Sequence, residues 1–240
     1  MLLFGTYFWY SMAMSKISLS VVVPVYNEEK TVAIILEKLL KVKEVAEIIV
    51  VDDGSKDKSL SIIKKNKHKK IKVFSKNNGG KGTAIRFGLS KVTGNYVVIQ
   101  DADLEYDPAD IPLLLEPIRN RGVEVVYGSR FLGSHSNLLF WHRAGNAFLN
   151  LVVNVLFNTT LSDMETCYKV LPTKLFKEIG ITSNSFDMEP EITCKVLKRG
   201  VHIFEVPITY VGRGFDEGKK ITWKDGFGAL YTIFKHRLLA

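Results

Sequence analysis

Asp101, Asp103 and Glu105 put three carboxylates at alternating positions of one short stretch, Asp101-Ala102-Asp103-Leu104-Glu105. With Asp107 and Asp110 they place five acids within ten residues of a chain whose formal net charge is +8. If the backbone stays extended there, residues i, i+2 and i+4 leave it on one side. Like charges held that close repel, and a hard divalent cation with oxygen ligands relieves them. Mg²⁺ or Mn²⁺ suits an open carboxylate site completed by phosphate oxygens. A solvated acidic loop would carry the same residues, but this one follows directly on the apolar run Tyr96-Val97-Val98-Ile99.

Other residues complete a site for an anionic ligand. Asp52-Asp53 follows another apolar run, where an acid in a nucleotide-binding sheet accepts hydrogen bonds from ribose or base. Either Asp could instead cap the turn Asp53-Gly54-Ser55, and the two roles are compatible. Asn77-Asn78-Gly79-Gly80-Lys81-Gly82 is neither a Walker loop (Ser75 stands at the first glycine position, and Gly82 follows Lys81) nor a dinucleotide fingerprint, whose third glycine would be Ile85. It is a loop through which backbone and Lys81 can approach an anion. Arg130, in Gly128-Ser129-Arg130-Phe131, and Arg143, in His142-Arg143-Ala144-Gly145-Asn146, have the planar fork that binds phosphate in a bidentate manner. Either could equally form a surface ion pair. The five His lack metal-ligand spacing, and no nucleophile elbow or Cys-His pairing is present in the sequence.

These residues need a scaffold, and the sequence supplies one. Apolar, β-branched runs at 18–25, 45–53, 70–75, 95–103 and 123–129 predict strands. Between them, helical periodicity covers 28–41, with Asn27 as its N-cap, then 57–66, 82–91 and 108–119. Strand–helix–strand alternation with apolar strands predicts a mostly parallel sheet covered on both faces, in which ligands bind beyond the strands' carboxyl ends. Apart from Arg143, which opens or sits in the next helix, every polar group singled out above falls at such an end. After residue 131 the pattern predicts a helix over 138–157, a strand over 165–171, a helix over 189–199, a strand over 201–211 and an aromatic-rich amphipathic helix over 222–239. Neither repeat nor linker separates 16–130 from 131–240, so one α/β domain is expected.

Composition narrows the class. Hydrophobic residues at 46% and charged residues at 24% exclude a disordered chain. No apolar run reaches the ~20 residues of a membrane-spanning helix. Two cysteines, Cys167 and Cys194, build neither a disulfide framework nor a Cys-based zinc site, which points to a reducing compartment. Residues 1–14 are uncharged and mostly apolar, too short to span a bilayer and without the basic start of a secretory signal. They form either a tail outside the domain, Met14 being an alternative start, or an interfacial anchor using Tyr7, Trp9 and Tyr10.

Taken in order, VVVPVYNE, VVDDGSKD, NGGKGTA, QDADLEYDP and YGSRF resemble the family-2 glycosyltransferases of GT-A fold, a Rossmann-like sheet flanked by helices. HRAGN, DMETCYKV, EPEI and EVPITY resemble their dolichol-phosphate mannosyltransferase and polyprenyl-phosphate sugar transferase branch, and YVGR with EGKK resembles its prokaryotic members. The resemblance implies that Pro24, Tyr26, Glu28 and Asp52, with Asp53 nearby, surround the nucleoside. It implies that Asp101 and Asp103 hold the metal around Ala102, with Glu105 as third ligand. It implies further that Arg130 and Arg143 hold the acceptor phosphate, and that Asp163, Lys169 and Glu189 lie near the donor sugar. Many members of the branch carry C-terminal membrane helices, whereas this chain stops at Ala240. It resembles a short form reaching its lipid peripherally, on the cytoplasmic face of a membrane, or through an anchoring partner.

The expected reaction is therefore metal-dependent, inverting transfer of a hexose from a nucleoside-diphosphate sugar, GDP-mannose first, to a polyprenyl or dolichyl phosphate. UDP-glucose or UDP-N-acetylglucosamine as donor, or a polysaccharide or protein acceptor, are the alternatives. An acceptor phosphate, with its second pKa near ~6, is already ionised at neutral pH and needs no dedicated base. A sugar-nucleotide pyrophosphorylase would open with a Gly-rich loop where this chain has Pro-Val-Tyr-Asn-Glu. The lysine run between Lys64 and Lys72 lacks the interleaved aromatics of a nucleic-acid surface, so no nucleic-acid partner is expected. The excess of positive charge, together with Trp223, Phe227, Tyr231 and Phe234 on the last helix, suits an anionic membrane surface instead.

Overall fold

A computed structural model describes residues 16–136, 139–213 and 223–239. The apolar stretch 1–14 and the Glu217-Gly218-Lys219-Lys220 motif lie outside them. Strand β1 (Leu19–Val25) is almost wholly buried because its Val and Leu side chains find apolar cover on both faces. It is followed by α1 (Val32–Lys41), β2 (Val45–Asp52), α2 (Ser59–Lys65), β3 (Ile71–Ser75), α3 (Lys81–Leu89) and β4 (Tyr96–Ile99). A 3-10 turn, Pro108–Asp110, leads into α4 (Ile111–Arg121) and β5 (Val125–Ser129). The second half contributes β6 (His135–Ser136), α5 (Phe140–Phe157), β7 (Lys169–Pro172), α6 (Thr173–Ile179), α7 (Met188–Lys198), β8 (Ile203–Pro207), β9 (Tyr210–Val211) and α8 (Trp223–Leu238).

Seven strands form one sheet in the order β3-β2-β1-β4-β7-β5-β8. All run parallel except β7, which is antiparallel to both β4 and β5. The order turns back at β1: β2 and β3 lie on one side of it and β4 on the other, which opens a crevice above the carboxyl ends of β1 and β4. The main core is built on Val21, Val23, Ile48, Val50, Val98 and Ile35, all fully buried. A second core joins Leu149 and Val153 of α5 to Ala229 and Ile233 of α8, with Leu161, Met164 and Cys194. Both cysteines are buried and free.

Four expectations need correction. The strand expected over 201–211 is two strands: β8 joins the main sheet, whereas β9 pairs with β6 in a separate ribbon. The expected strand over 165–171 shortens to Lys169–Pro172, and α6, which follows it directly, has no counterpart in the sequence reading. Asn27 does not cap α1. It takes a left-handed conformation (φ 55°) and accepts the Lys56 N–H, and the helix starts five residues later at Val32. Beyond β4 the acidic stretch is a turn rather than extended chain, with Leu104 at φ 67°.

Candidate active site

Three loops converge above the crevice. The β1–α1 loop brings Tyr26 and Glu28, and Pro24 sits near the end of β1, one step before the Val25–Asp52 register pair. The end of β2 brings Asp52 and Asp53, and the turn after β4 brings Asp101, Ala102 and Asp103. Lys81, the first residue of α3, donates from Nζ to Asp101, 2.8 Å from Oδ1 and 2.9 Å from Oδ2, and lies 3.7 Å from Glu189 Oε1. Glu189, in the first turn of α7, also receives Lys169 Nζ from β7, which donates in addition to the Thr166 carbonyl and lies 5.0 Å from the Tyr127 ring centre. Asp101, Lys81, Glu189 and Lys169 thus form one chain of alternating charge. Burial works against the Lys81 charge, but Asp101 and Glu189 outweigh it and hold its pKa well above the ordinary lysine value.

Asp103 is less well provided for. Its Oδ1 accepts the Glu105 N–H at 3.1 Å and its Oδ2 accepts Arg213 Nη2 at 2.8 Å. Burial first, then the charges of Asp101 and Glu105, push its carboxyl up to about 7 in spite of Arg213. Glu105 faces elsewhere: Oε2 accepts the Tyr210 hydroxyl at 2.8 Å and Oε1 the Arg213 N–H at 2.9 Å. The chain turns at Leu104, so the three acids do not alternate along an extended strand, and among the described residues no three His, Cys, Asp or Glu come together as a ready ligand set. Asp101 and Asp103, crowded, hard-oxygen and partly neutralised by the protein's own cations, have the donor chemistry to hold Mg²⁺ or Mn²⁺. Glu105 as third ligand would first have to leave Tyr210 and Arg213.

The two aspartates of β2 divide their work. Asp53 accepts the N–H groups of Gly79 and Gly80 and the Lys76 ammonium, so the anion cradled by the Gly-rich loop is the chain's own carboxylate. Gly80 (φ 93°) has room for this only without a side chain, since a Cβ there would lie 2.4 Å from the Asn184 carbonyl oxygen. Asp52 accepts from Ser55 N and Ser75 Oγ through Oδ2 alone. Its Oδ1 is buried with no hydrogen-bond partner among the described residues. That orphaned acceptor fits a nucleoside hydroxyl or base N–H.

Arg130 requires a correction. Its Nε and Nη2 grip Asp163 in a two-pronged pair at 2.8 and 2.7 Å, and its backbone N–H donates to the same carboxylate. With Asp163 fully buried, this pair holds β5 to the 162–163 turn, and the donating edge expected to clamp a phosphate is already engaged. Asp163 is correspondingly a support for Arg130. The exposed Arg143, in the first turn of α5, keeps an arrangement suited to an anion. Its guanidinium lies 5.9 Å from the Phe131 ring centre and that of Arg130 lies 5.6 Å from the same ring.

Sequence reasoning missed the supports. Glu205 of β8 accepts Ser162 N and Asp163 N and so sets the turn that carries Asp163. Glu191 of α7 accepts Thr182 N and Ser183 N, fixing the segment against which the Gly-rich loop packs. Burial raises the Glu191 carboxyl, but hydrogen bonds from Lys195, Thr182 and Ser183 bring it down to about 2. Arg213 was visible only as part of the YVGR motif, and Tyr210 only as part of that motif and of EVPITY.

Acids and cations gather at the switch point of a Rossmann-like sheet, with an unpaired acceptor at the end of β2, the place where such sheets bind their ligands. The chain belongs to glycosyl transferase family 2, whose model matches residues 20–180, and is a glycosyltransferase of GT-A fold. The hexosyltransferase Agl6 of low-salt glycan biosynthesis in Haloferax volcanii is 29% identical over 199 residues, 80% of this chain and 48% of that protein. The chain thus spans about half of Agl6. Protein MJ1222 of Methanocaldococcus jannaschii is 26% identical over 234 residues, 93% of this chain and 94% of its own length. Among solved structures, glucosyl-3-phosphoglycerate synthase of Mycobacterium tuberculosis, in complex with Mn²⁺, UDP and phosphoglyceric acid, superposes with a TM-score of 0.74 at 18% identity. The match covers 95% of this chain and 81% of that one. Another complex of that enzyme holds Mg²⁺ and UDP.

Proposed function

We propose that this glycosyltransferase transfers a hexose, with inversion, from a nucleoside-diphosphate sugar to the phosphate of a polyprenyl-type lipid. The observation that carries the reading is the pairing of an orphaned Asp52 oxygen with the crowded Asp101–Asp103 carboxylates across the β1–β4 crevice. Asp52 receives the nucleoside, with Pro24, Tyr26 and Glu28 around it. Asp101 and Asp103 would hold Mg²⁺ or Mn²⁺, which when bound neutralises charge on the diphosphate. Lys81 orients Asp101 through its ion pair, and Glu189 with Lys169 holds Lys81 in place. The acceptor phosphate is anionic at neutral pH and attacks without a protein base. Arg143 meets that phosphate, next to the ring it shares with Arg130.

The helix pair α5–α8 supports a lipid acceptor. Phe148, Leu151 and Val155 stand exposed on α5, and Tyr231, Phe234 and Leu238 on α8, each set at helical spacing. Arg237 of the last turn of α8 lies over Phe157 of the last turn of α5, so the two helices end together. Helix α5 contains no acid and carries Arg143 in its first turn, and α8 carries Lys235 and Arg237 near its end. An apolar face with basic ends fits an anionic phospholipid surface, whereas pairing with a second copy would bring like charges together. None of the described helices is long and apolar enough to cross a membrane, and the proposed location is peripheral, on the cytoplasmic face.

The direct test incubates the full chain with labelled GDP-mannose, UDP-glucose or UDP-N-acetylglucosamine, Mn²⁺ or Mg²⁺, and polyprenyl phosphate. Label in the organic extract from one donor, lost with EDTA, is the expected result. Label passing only to a water-soluble phosphorylated acceptor such as phosphoglycerate would overturn the lipid reading. For the docking face, the full chain should sediment with vesicles containing phosphatidylglycerol but stay in solution with phosphatidylcholine alone. Phe148→Ser with Leu151→Ser should weaken that binding about tenfold or more, as expected for loss of buried apolar area. Equal binding by the variant, or a concentration-dependent dimer that the same substitutions abolish, would overturn it.

A further inference from the structure

Arg213 stands among three carboxylates that come from two different loops. Nη2 donates to Asp103 Oδ2 at 2.8 Å, Nη1 donates to Glu28 Oε2 at 3.3 Å, and Nε lies 3.6 Å from Glu105 Oε1. The side chain is mostly enclosed, at 18% exposure. Its backbone cannot drift, because the Arg213 N–H donates to Glu105 and the Val211 N–H to the Glu105 carbonyl, while Tyr210 is bridged to Tyr106. A cation on an anchored backbone therefore sits in the acidic cluster, touching the β1–α1 loop through Glu28 and the β4 turn through Asp103.

We propose that Arg213 is a resident counter-cation of this site. It holds Glu28, Asp103 and Glu105 together in the donor-free protein and competes with a divalent ion for Asp103. Both Asp103 oxygens are already engaged, one by the Glu105 N–H and the other by the guanidinium. A dication brought to that carboxylate meets a positive charge already in contact with it, and the two repel. Metal binding and the Arg213–Asp103 contact are then mutually exclusive, so each weakens the other by the same factor. The backbone stays in place and only the side chain swings away. In its absence Glu28 loses its guanidinium contact, and so the β1–α1 loop senses whether a metal is present. Metal entering alone is disfavoured, and a donor that brings its own diphosphate oxygens to the ion offsets the competition.

The inference rests on the metal-dependent reading above, and the test separates the two. Mn²⁺ affinity is measured on the full chain by calorimetry and by the free-Mn²⁺ paramagnetic resonance signal, with no sugar nucleotide present. Arg213→Gln should bind Mn²⁺ about tenfold or more tightly than the native chain, in the range usual for coupled sites. Arg213→Lys, which keeps a cation there, should remain near the native value, and an unchanged thermal midpoint for Arg213→Lys confirms that it is folded. Equal or weaker binding by Arg213→Gln overturns the competition and leaves the metal reading intact. Failure of all three proteins to bind Mn²⁺ even with UDP present overturns both.

Discussion

Glu47 and Asp103 are carboxylates set into the same sheet, one near the amino end of β2 and the other just beyond the carboxyl end of β4. Glu47 accepts from Ser20 Oγ, Thr93 N, Gly94 N and Lys72 Nζ. Burial raises its pKa, but those donors, Lys72 foremost, bring it down to about 2. Asp103 is mostly enclosed too, yet it has like charges for neighbours and its carboxyl is pushed up to about 7. At Glu47 the fold consumes the charge in tying β1, β2 and the 93–94 turn together. At Asp103 the demand for positive charge is left partly unmet, which is what a site for a cationic ligand requires. Opposite environments at opposite ends of one sheet set an acid satisfied by the fold apart from the acid proposed here to hold a metal.

The comparison can be broken most forcefully at Asp103. Asp103→Ala should lower sugar transfer by about 10³-fold, the scale on which a preorganised charge-stabilising group acts, while far-ultraviolet circular dichroism stays native. Full transfer by this variant in EDTA would remove the functional half of the contrast. Glu47→Gln should do the reverse, sparing transfer by the folded molecules while lowering stability to urea. At neutral pH the loss should be about 2 kcal/mol, after discounting the shift because Lys72 is partly solvated. Since the folded pKa of Glu47 lies below its unfolded value, the stabilisation is complete above the ordinary carboxylate pKa and drains away as pH falls towards about 2. The gap between native chain and variant should therefore close over that acid window, and a gap that widens there would refute the assignment. The smallest effect belongs to Lys72→Met, about 0.5 kcal/mol, because its side chain is 45% exposed and only one of the four donors to Glu47 is lost.

The strand–helix alternation up to β5 was legible because each strand is a continuous apolar run, and burial on both faces of a parallel sheet demands just that. That the acids after β1, β2 and β4 gather at one end of the sheet was legible for the same reason: topology dictates where strand ends meet. Partner choice was not. Nothing local distinguishes Asp52, with a spare oxygen, from Asp53, spent on the Gly-rich loop. The grip of Asp163 on Arg130 joins residues 33 positions apart. Two-residue strands such as β6 and β9 are too short to show a period, and the left-handed Leu104 goes against its own preference, whereas Asn27 takes a conformation that asparagine adopts readily. Arg213 was legible only as a motif position, because an arginine gains a role only once the three carboxylates around it are seen.

The reversed strand β7 has a further consequence, for the order of assembly. It lies between β4 and β5, so β5 has no sheet neighbour until residues 169–172 exist, and β8 in turn pairs with β5. A nascent chain ending soon after β5 would carry a four-stranded sheet whose β4 edge is open and an unpaired apolar β5 beside it, the arrangement most prone to edge-to-edge association. Insertion of Lys169–Pro172 is then the late, long-range step that closes the sheet, and it delivers Lys169 beneath Glu189 in the same movement. The charge chain that supports Lys81 therefore requires β7 to be seated between β4 and β5, so the same strand that joins the two parts of the sheet also sets the surroundings of Lys81.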